Sequence, residues 1–458
     1  MNKAKKQISF STSVIMLISI ALIFFFGIYM KIPTASILLF VMLWLCILAL
    51  FSGISGNKVE EAFINGAKKG MGAILILLCV GILVSMWIQS GIVPMLVYYG
   101  LGLFSPKILL PTSFLLCSIL SLCTGSSWGT CGTIGIALVS IGEGMGVPSY
   151  IIAGAAISGA VLGDKLSPFS DTTVFASGIT GVNIYDHIHS MMHTTIPTFF
   201  LALLIYFILG SRLKVHAVDT AEIVEIQETI RHAYTFHWSL FLLPLSIILM
   251  GIKKVPAVIS LLFCGLLGSV LSIVIQKNSL QQVLETIYSG VEVSLGNEIL
   301  DVMLSKGGLI SMLPTVGIVF LALSIGGLVS EMNILEVLVV QFRDRIQREY
   351  KIVLFTIFCG ILMVLLLSSL YVSAALIGEL FTNFYKERNI DRAVLSRTIE
   401  ETTTITAPLI PWHSSYMYYT ELFHLSGMAF VPYTIFCWLN LIVSIVFTIM
   451  ERNKLKGS

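Results

Sequence analysis

Charge is what this 458-residue chain has least of: Asp, Glu, Lys and Arg together make up 11% of it, against 56% hydrophobic residues. With a mean hydropathy of +0.94, it lacks the polar surface needed to coat a water-soluble globule of this length. A soluble enzyme or binding domain is thereby excluded, and the chain reads as an integral membrane protein. A net charge of +2 is too small to attract nucleic acid, and the basic residues fall in loops where membrane topology accounts for them. Paired cysteines are missing as well. The eight, at 46, 79, 117, 123, 131, 264, 359 and 437, mostly lie inside apolar runs without Cys-x-x-Cys spacing, so packing is their expected role rather than disulfides or a metal. Nothing matches the Gly-x-x-x-x-Gly-Lys-Ser/Thr phosphate loop, which argues against direct use of ATP. An intramembrane protease is disfavoured too, because Val161 holds the first glycine position of a Gly-x-Gly-Asp signature and no His-Glu-x-x-His occurs.

What the chain does have is long apolar runs, near 14–30, 32–51, 71–89, 107–123, 149–162, 195–210, 239–252, 255–275, 309–330, 352–370 and 430–449. Many are long enough to cross hydrocarbon at about 1.5 Å per helical residue. No period-2 alternation suggests a barrel, so an all-α polytopic protein is expected. The first run follows Lys3, Lys5 and Lys6 but is too long for a signal peptide and lacks a small-residue cleavage pattern. It reads as a retained first helix entering from the cytoplasm.

The densest chemistry is Gly163-Asp164-Lys165-Leu166-Ser167-Pro168-Phe169-Ser170-Asp171-Thr172-Thr173, three charges and four hydroxyls set in membrane-grade sequence. Charge at that depth costs several kcal/mol and marks a transport or catalytic site by default. Gly163 and Pro168 bracket the charged pair, and proline cannot extend a helical ladder, so the helix is expected to break there. Freed carbonyls with the oxygens of Asp164, Ser167, Asp171, Thr172 and Thr173 suit a hard cation. Upstream, 124–133 is rich in small and hydroxyl residues, including Ser127 and Thr130. It suits a broken or re-entrant element, though such residues also serve plain helix packing.

The chain divides into halves that echo each other. A polar interval, 213–237, separates a first repeat, 1–212, from a second, 238–458; the amphipathic stretch from Asn57 reappears from Asn278, and the acid, hydroxyl and proline of 163–173 return in 400–413. Lys58, Lys68 and Lys69 follow the second span of the first half, whereas 277–307 is mostly acidic, with Glu285, Glu292, Glu298 and Asp301; Arg343, Arg345, Arg348 and Lys351 gather where the first half has Lys107. Because Lys and Arg collect on the cytoplasmic side, the copies read as inverted, with both termini cytoplasmic. Transporters so built place their site where interrupted helices meet at the midplane. A channel would more usually repeat one element around an axis.

The stretch 163–173, the preceding Gly-Ser-Ser-Trp-Gly-Thr, and Leu395-Ser396-Arg397-Thr398 running to Ala407-Pro408-Leu409-Ile410-Pro411-Trp412 resemble the NhaC family of sodium/proton antiporters, in order over nearly the whole chain. The resemblance implies a secondary transporter of a bacterial-type plasma membrane, with Na⁺ exchanged for H⁺ and no cofactor. Related carriers of malate and lactate or of amino acids leave an organic solute as the alternative cargo, and a homodimer as an open oligomeric state. Three departures stand out. Glu400-Glu401-Thr402-Thr403-Thr404 replaces an expected Glu-Asp-Ser-Gly-Thr, Trp412-His413-Ser414-Ser415-Tyr416 replaces Trp-Asn-Thr-Cys-Gly, and 369–373 replaces a Gly-Thr-Asn-Ser-like element. Tyr416, Tyr418 and Tyr419 suit either an amphipathic wall for an organic solute or interfacial anchors.

The expected mechanism is competition. A buried carboxylate, Asp164 or Asp171, holds Na⁺ or a proton but not both, and the two repeats rock past each other between loadings. Lys165 either balances the empty carboxylate or snorkels. Glu401 is expected as the second-half acid with Thr403 and Thr404 beside it, and His413, whose free imidazole titrates at about 6.5, as a pH sensor or substrate contact. His189 and His193 lie one turn apart, a spacing that can hold a metal, with Asp186 reading as a helix cap. Glu379 is either a helix-end residue or part of the pathway, and Glu331 and Glu421 mark helix ends.

Overall fold

The computed structural model describes residues 9–30, 32–69, 71–103, 105–168, 170–213, 220–253, 255–343 and 346–450. Both chain ends lie outside these, as do Lys3, Lys5, Lys6, Phe169, Lys214, Asp219 and Arg345. The described chain is helical throughout, and eight helices are long and apolar enough to cross a membrane. It is a multi-pass membrane protein.

The first half runs through α1 (Phe10–Tyr29), α2 (Thr34–Phe51), α3 (Gly56–Lys69), α4 (Met71–Ser90), α5 (Ile92–Leu103), α6 (Pro106–Thr124), α7 (Ser127–Thr130), α8 (Ile136–Gly144), α9 (Ser149–Leu166), α10 (Asp171–Thr180) and α11 (Ile184–Arg212). A π-helical turn, Cys131–Gly135, joins α7 to α8. The second half follows α12 (Thr220–Ala233) with α13 (Leu242–Ile252), α14 (Ala257–Ile275), α15 (Leu280–Ser289), α16 (Glu298–Leu304), α17 (Leu309–Glu331), α18 (Ile334–Arg343), α19 (Glu349–Leu367), α20 (Leu370–Glu387), α21 (Arg392–Thr403), α22 (Ser414–Leu422) and α23 (Ile435–Met450).

The polar interval expected as a loop thus carries a helix. The reason is periodicity: Ile226, Ile230 and Tyr234 recur every four residues and are buried, while Glu225 and Glu228 face outward, and Gln227 donates to the Tyr98 carbonyl of α5 (2.8 Å). Local charge did not prevent the helix, because one apolar stripe suffices to dock it.

Two features position the site. First, α4 packs on α14 and α17 on α2, while amphipathic α3 packs on α17 and amphipathic α15 on α4. Glycines permit the approach: a Cβ on Gly66 would lie 2.7 Å from the Gly327 Cα, and one on Gly327 would lie 2.2 Å from the Ala62 carbonyl oxygen. Second, both halves interrupt their helices in one order. α6 ends at Gly125 with φ +67° and restarts after extended Ser126; α19 ends at Ser368 with φ +53° and restarts after extended Ser369. α9 ends at Leu166 and α10 begins at Asp171, and α21 ends at Thr403 and α22 begins at Ser414.

Gly163 does not begin a break, contrary to expectation. It sits inside α9 where that helix crosses α6, and a Cβ there would stand 2.2 Å from the Ser118 carbonyl oxygen. The helix stops after Leu166, at Ser167 and Pro168, which leaves Asp164 and Lys165 in its last turn.

Candidate ion-binding site between the broken helices

Asp164 lies 4% exposed at the end of α9. Its Oδ2 accepts hydrogen bonds from the Ser127 hydroxyl (2.7 Å) and the Ser127 N–H (3.2 Å), so the carboxylate docks on the amino-terminus of α7. The helix dipole and the unpaired N–H groups of a first turn make that a favourable seat for negative charge. Its Oδ1 is buried without a hydrogen-bond partner, and the residue lines a cleft of about 270 Å³. An uncompensated carboxylate oxygen at that depth is stable only when a proton or a cation satisfies it.

The cleft gathers many of the residues singled out in the sequence. Asp164, Asp171, Thr172, Ser127 and Thr404 line it, joined by Ser126, Trp128, Ser369, Tyr371, Ser414, Ser415 and Tyr419. Asp171 opens α10, accepts the Thr172 N–H (3.0 Å) and receives the Tyr371 hydroxyl. Thr130 lines an adjoining cavity that shares Ser126, Trp128 and Asp171 with the first; its hydroxyl has no partner.

Other expected residues take different work. Thr173 donates to the Lys165 carbonyl (3.2 Å) and closes the end of α9, where Ser167 is the buried capping residue. Thr403 donates back to the Ile399 carbonyl one turn earlier (2.7 Å), so its hydroxyl is spent on its own helix. His413 is fully buried and caps α22, its Nδ1 accepting the Ser415 N–H (3.0 Å). Asn183 caps α11, and Asp186 sits inside the first turn. His189 and His193 face each other edge-on, centroids 5.1 Å apart, and no cluster of three or more metal-type ligands is found among the described residues. Glu379 is solvent- or lipid-exposed. The tyrosines are not interfacial anchors: Tyr416, Tyr418 and Tyr419 are all buried, Tyr418 stacking on Trp128 at 4.4 Å and Tyr419 lining the cleft.

Lys165 neither snorkels nor faces Asp164. Its fully buried ammonium turns to the Glu401 Oε1 (3.4 Å) and the Asn440 Oδ1 (3.3 Å). Glu401 is further held by the Thr194 hydroxyl, the Ser444 hydroxyl (2.5 Å) and Arg397 at 4.0 Å. Through these contacts Glu401 ties α9, α11, α21 and α23 together. The acid turned toward the Asp164 break is its neighbour Glu400, buried, with Oε1 accepting from Thr172 (2.9 Å). Sequence reasoning missed it because two adjacent glutamates on a helix differ by 100° in facing, and only the packed partner helix decides which one meets α10.

By class, a polytopic helical bundle whose interrupted helices hold a buried, half-satisfied carboxylate over a cleft is a secondary transporter. The profile of the Na⁺/H⁺ antiporter family matches residues 3–180 and 159–451, and the chain belongs to that family, in its NhaC branch. It is 32% identical to the malate-2H⁺/Na⁺-lactate antiporter of Bacillus subtilis over 94% of this chain and 92% of that protein. It is likewise 32% identical to the Na⁺/H⁺ antiporter NhaC of Alkalihalophilus pseudofirmus, over 86% and 85%. Among solved structures, the efflux pump MtrF of Neisseria gonorrhoeae is similar over 86% of this chain and 83% of its own at 14% identity, with a TM-score of 0.36.

Proposed function

We propose that this protein exchanges Na⁺ for H⁺ across a bacterial-type plasma membrane, with Asp164 as the group for which the two ions compete. The observation that carries the reading is the Asp164 carboxylate itself: one oxygen seated on the α7 amino-terminus, the other buried and unpartnered, on a residue that lines the cleft. Na⁺ bound there is completed by Asp171 and the nearby hydroxyls of Ser127 and Thr172, hard oxygen ligands all. A proton on Oδ1 removes the charge that Na⁺ needs, so binding of either expels the other, and exchange follows once each loading is released on its own side. Glu400, joined to the break through Thr172, serves as the second proton-accepting carboxylate. Lys165 and Glu401 form the fixed ion pair on which the broken helices are hung.

The repeats 1–212 and 238–458 act as two inverted copies in this reading. The reciprocal packing of α4 on α14 and α17 on α2, and the matched interruptions after α6 and α19, support that arrangement. Both termini then lie in the cytoplasm.

The test is flux in proteoliposomes. An imposed Na⁺ gradient should move protons with no organic solute present, and Asp164→Asn should abolish that flux while eluting as a folded protein, since the amide oxygen still accepts from Ser127. Retained flux in that variant would reject Asp164 as the exchange site.

A further inference from the structure

Two groups of helices meet at the cleft. In one, α6, α9, α10, α11, α20, α21 and α23 pack on one another; in the other, α4 packs on α14 and α17, and α17 on α2 and α3. Asp164 and Asp171 line the cleft from the first group, and Gly72, Ala73, Ile76 and Leu323 from the second. The lining reaches Lys69, which is exposed beside the start of α4. Farther along α4 the seam between the groups is tied by charge. The Lys306 ammonium, just before α17, donates to both carboxylate oxygens of Glu143 at the end of α8 (3.2 and 3.1 Å). These side chains are 13% and 18% exposed, so water and salt screen the pair only in part.

Each end of the pair is braced on a different group. The Gly308 N–H donates to the Gly81 carbonyl of α4 (2.8 Å), the Val291 N–H donates to the Lys306 carbonyl (3.1 Å), and a Cβ on Gly307 would lie 2.5 Å from the Ser85 nitrogen. The backbone that carries Lys306 is therefore pressed onto α4, about 7 to 13 Å beyond Ile76 at 1.5 Å per helical residue. Glu143 follows Gly142, where a Cβ would lie 1.8 Å from the Ile152 Cδ1 of α9 and 3.0 Å from the Leu109 Cδ2 of α6. That end of α8 is seated on the two helices that cross beside Asp164. A second tie accompanies the first: Glu421, late in α22, accepts the hydroxyl of Thr315 on α17, whereas Ser414, Ser415 and Tyr419, earlier in α22, line the cleft. Contacts this short hold in one relative placement of the groups and are lost when either slides by a few ångströms, because hydrogen bonds fail quickly with distance and angle.

We propose that the Glu143–Lys306 pair, with Glu421 and Thr315 beside it, is a latch that shuts the cleft at the end away from Lys69 and must part before Asp164 is reached from that far side. The proposal rests on the exchange reading above, since exchange requires each ion to be released on its own side.

The experiment cross-links the latch. Full-length protein carrying Cys123→Ser, Glu143→Cys and Lys306→Cys is reconstituted in proteoliposomes and treated with a short bifunctional methanethiosulfonate. Na⁺-driven proton flux should be lost on cross-linking and return with dithiothreitol, while the two single-cysteine variants keep their flux under the same treatment. A second measurement does not depend on flux. Ser369→Cys, a half-buried position on the cleft lining, is combined with Cys123→Ser and labelled with a membrane-impermeant maleimide from each side of oriented vesicles. Adding Lys306→Gln should raise the far-side labelling rate about threefold, the scale on which a partly exposed ion pair biases an equilibrium. Glu143→Lys combined with Lys306→Glu should return the rate to that of the parent, which a loss of folding would not. Undiminished flux after a cross-link verified by mass spectrometry, or a far-side rate unchanged by Lys306→Gln, overturns the latch. Absence of Na⁺-driven proton flux in the unsubstituted protein overturns the exchange reading instead, and the labelling rates then decide the latch.

Discussion

Two adjacent glutamates illustrate how much a single helical step decides. Glu401 is met by Lys165, Thr194, Ser444 and Arg397, whereas Glu400 meets Thr172 across the break. Removing one partner of a buried pair costs about 3–5 kcal/mol, because the other charge is stranded, while replacing both by apolar groups of similar size is often neutral. Glu401→Gln should therefore destabilise the folded protein by about 3 kcal/mol, seen as a lower midpoint in thermal unfolding. Lys165→Met combined with Glu401→Leu should recover most of that loss. A double variant as unstable as the single would show that Glu401 is held by hydroxyls more than by the ammonium. That 163–173 is buried at a helix break was legible at this scale, but the division of its polar residues was not: Asp164, Asp171 and Thr172 line the cleft, while Lys165, Ser167 and Thr173 are used in holding the helix ends. That division depends on which neighbouring helix supplies the nearest donors.

Among elements, the broken helices were expected, yet their exact ends were not. Proline marked the stop of α9 correctly to within two residues, but Gly163 belongs to a helix crossing, and no single-sequence pattern separates a glycine that ends a helix from one that lets another helix approach. The crossing gives a direct prediction. In Gly163→Ala the new methyl would meet the Ser118 carbonyl oxygen at 2.2 Å and the Leu122 nitrogen at 2.7 Å, backbone atoms that cannot turn aside. α9 must move off α6, carrying Asp164 away from Ser127. Flux in proteoliposomes should fall at least about tenfold, because an ångström of misplacement already costs on the order of a hundredfold where geometry is decisive. Unchanged flux would mean that the Asp164 seat tolerates displacement. The helix α12 shows the converse limit: acidic residues disguised a docking stripe of Ile226, Ile230 and Tyr234, whose spacing was present in the sequence all along.

Over the whole molecule, hydropathy defined a polytopic helical protein at once, since apolar length is a one-dimensional property. The relation between halves is three-dimensional and rests on reciprocal packing, which apolar runs do not encode. Inversion predicts that α3 and α15, both amphipathic, lie at opposite membrane faces. With exposed Cys123 replaced by serine, Lys58→Cys and Gln281→Cys, both at exposed positions, should react with a membrane-impermeant maleimide from opposite sides of oriented vesicles. Reaction of both from one side would make the copies parallel and remove the basis for a shared midplane site.

The competition itself is read most directly by proton release. When NaCl is added to the purified protein in a weakly buffered solution, bound protons should appear in the medium as Na⁺ binds, in an amount that falls as the starting pH is raised and the carboxylate is already empty. Choline chloride should release none, and Asp164→Asn should release markedly fewer than the parent. Na⁺ binding with no proton release, or full release from the Asp164→Asn variant, would contradict the claim that one buried carboxylate serves both ions.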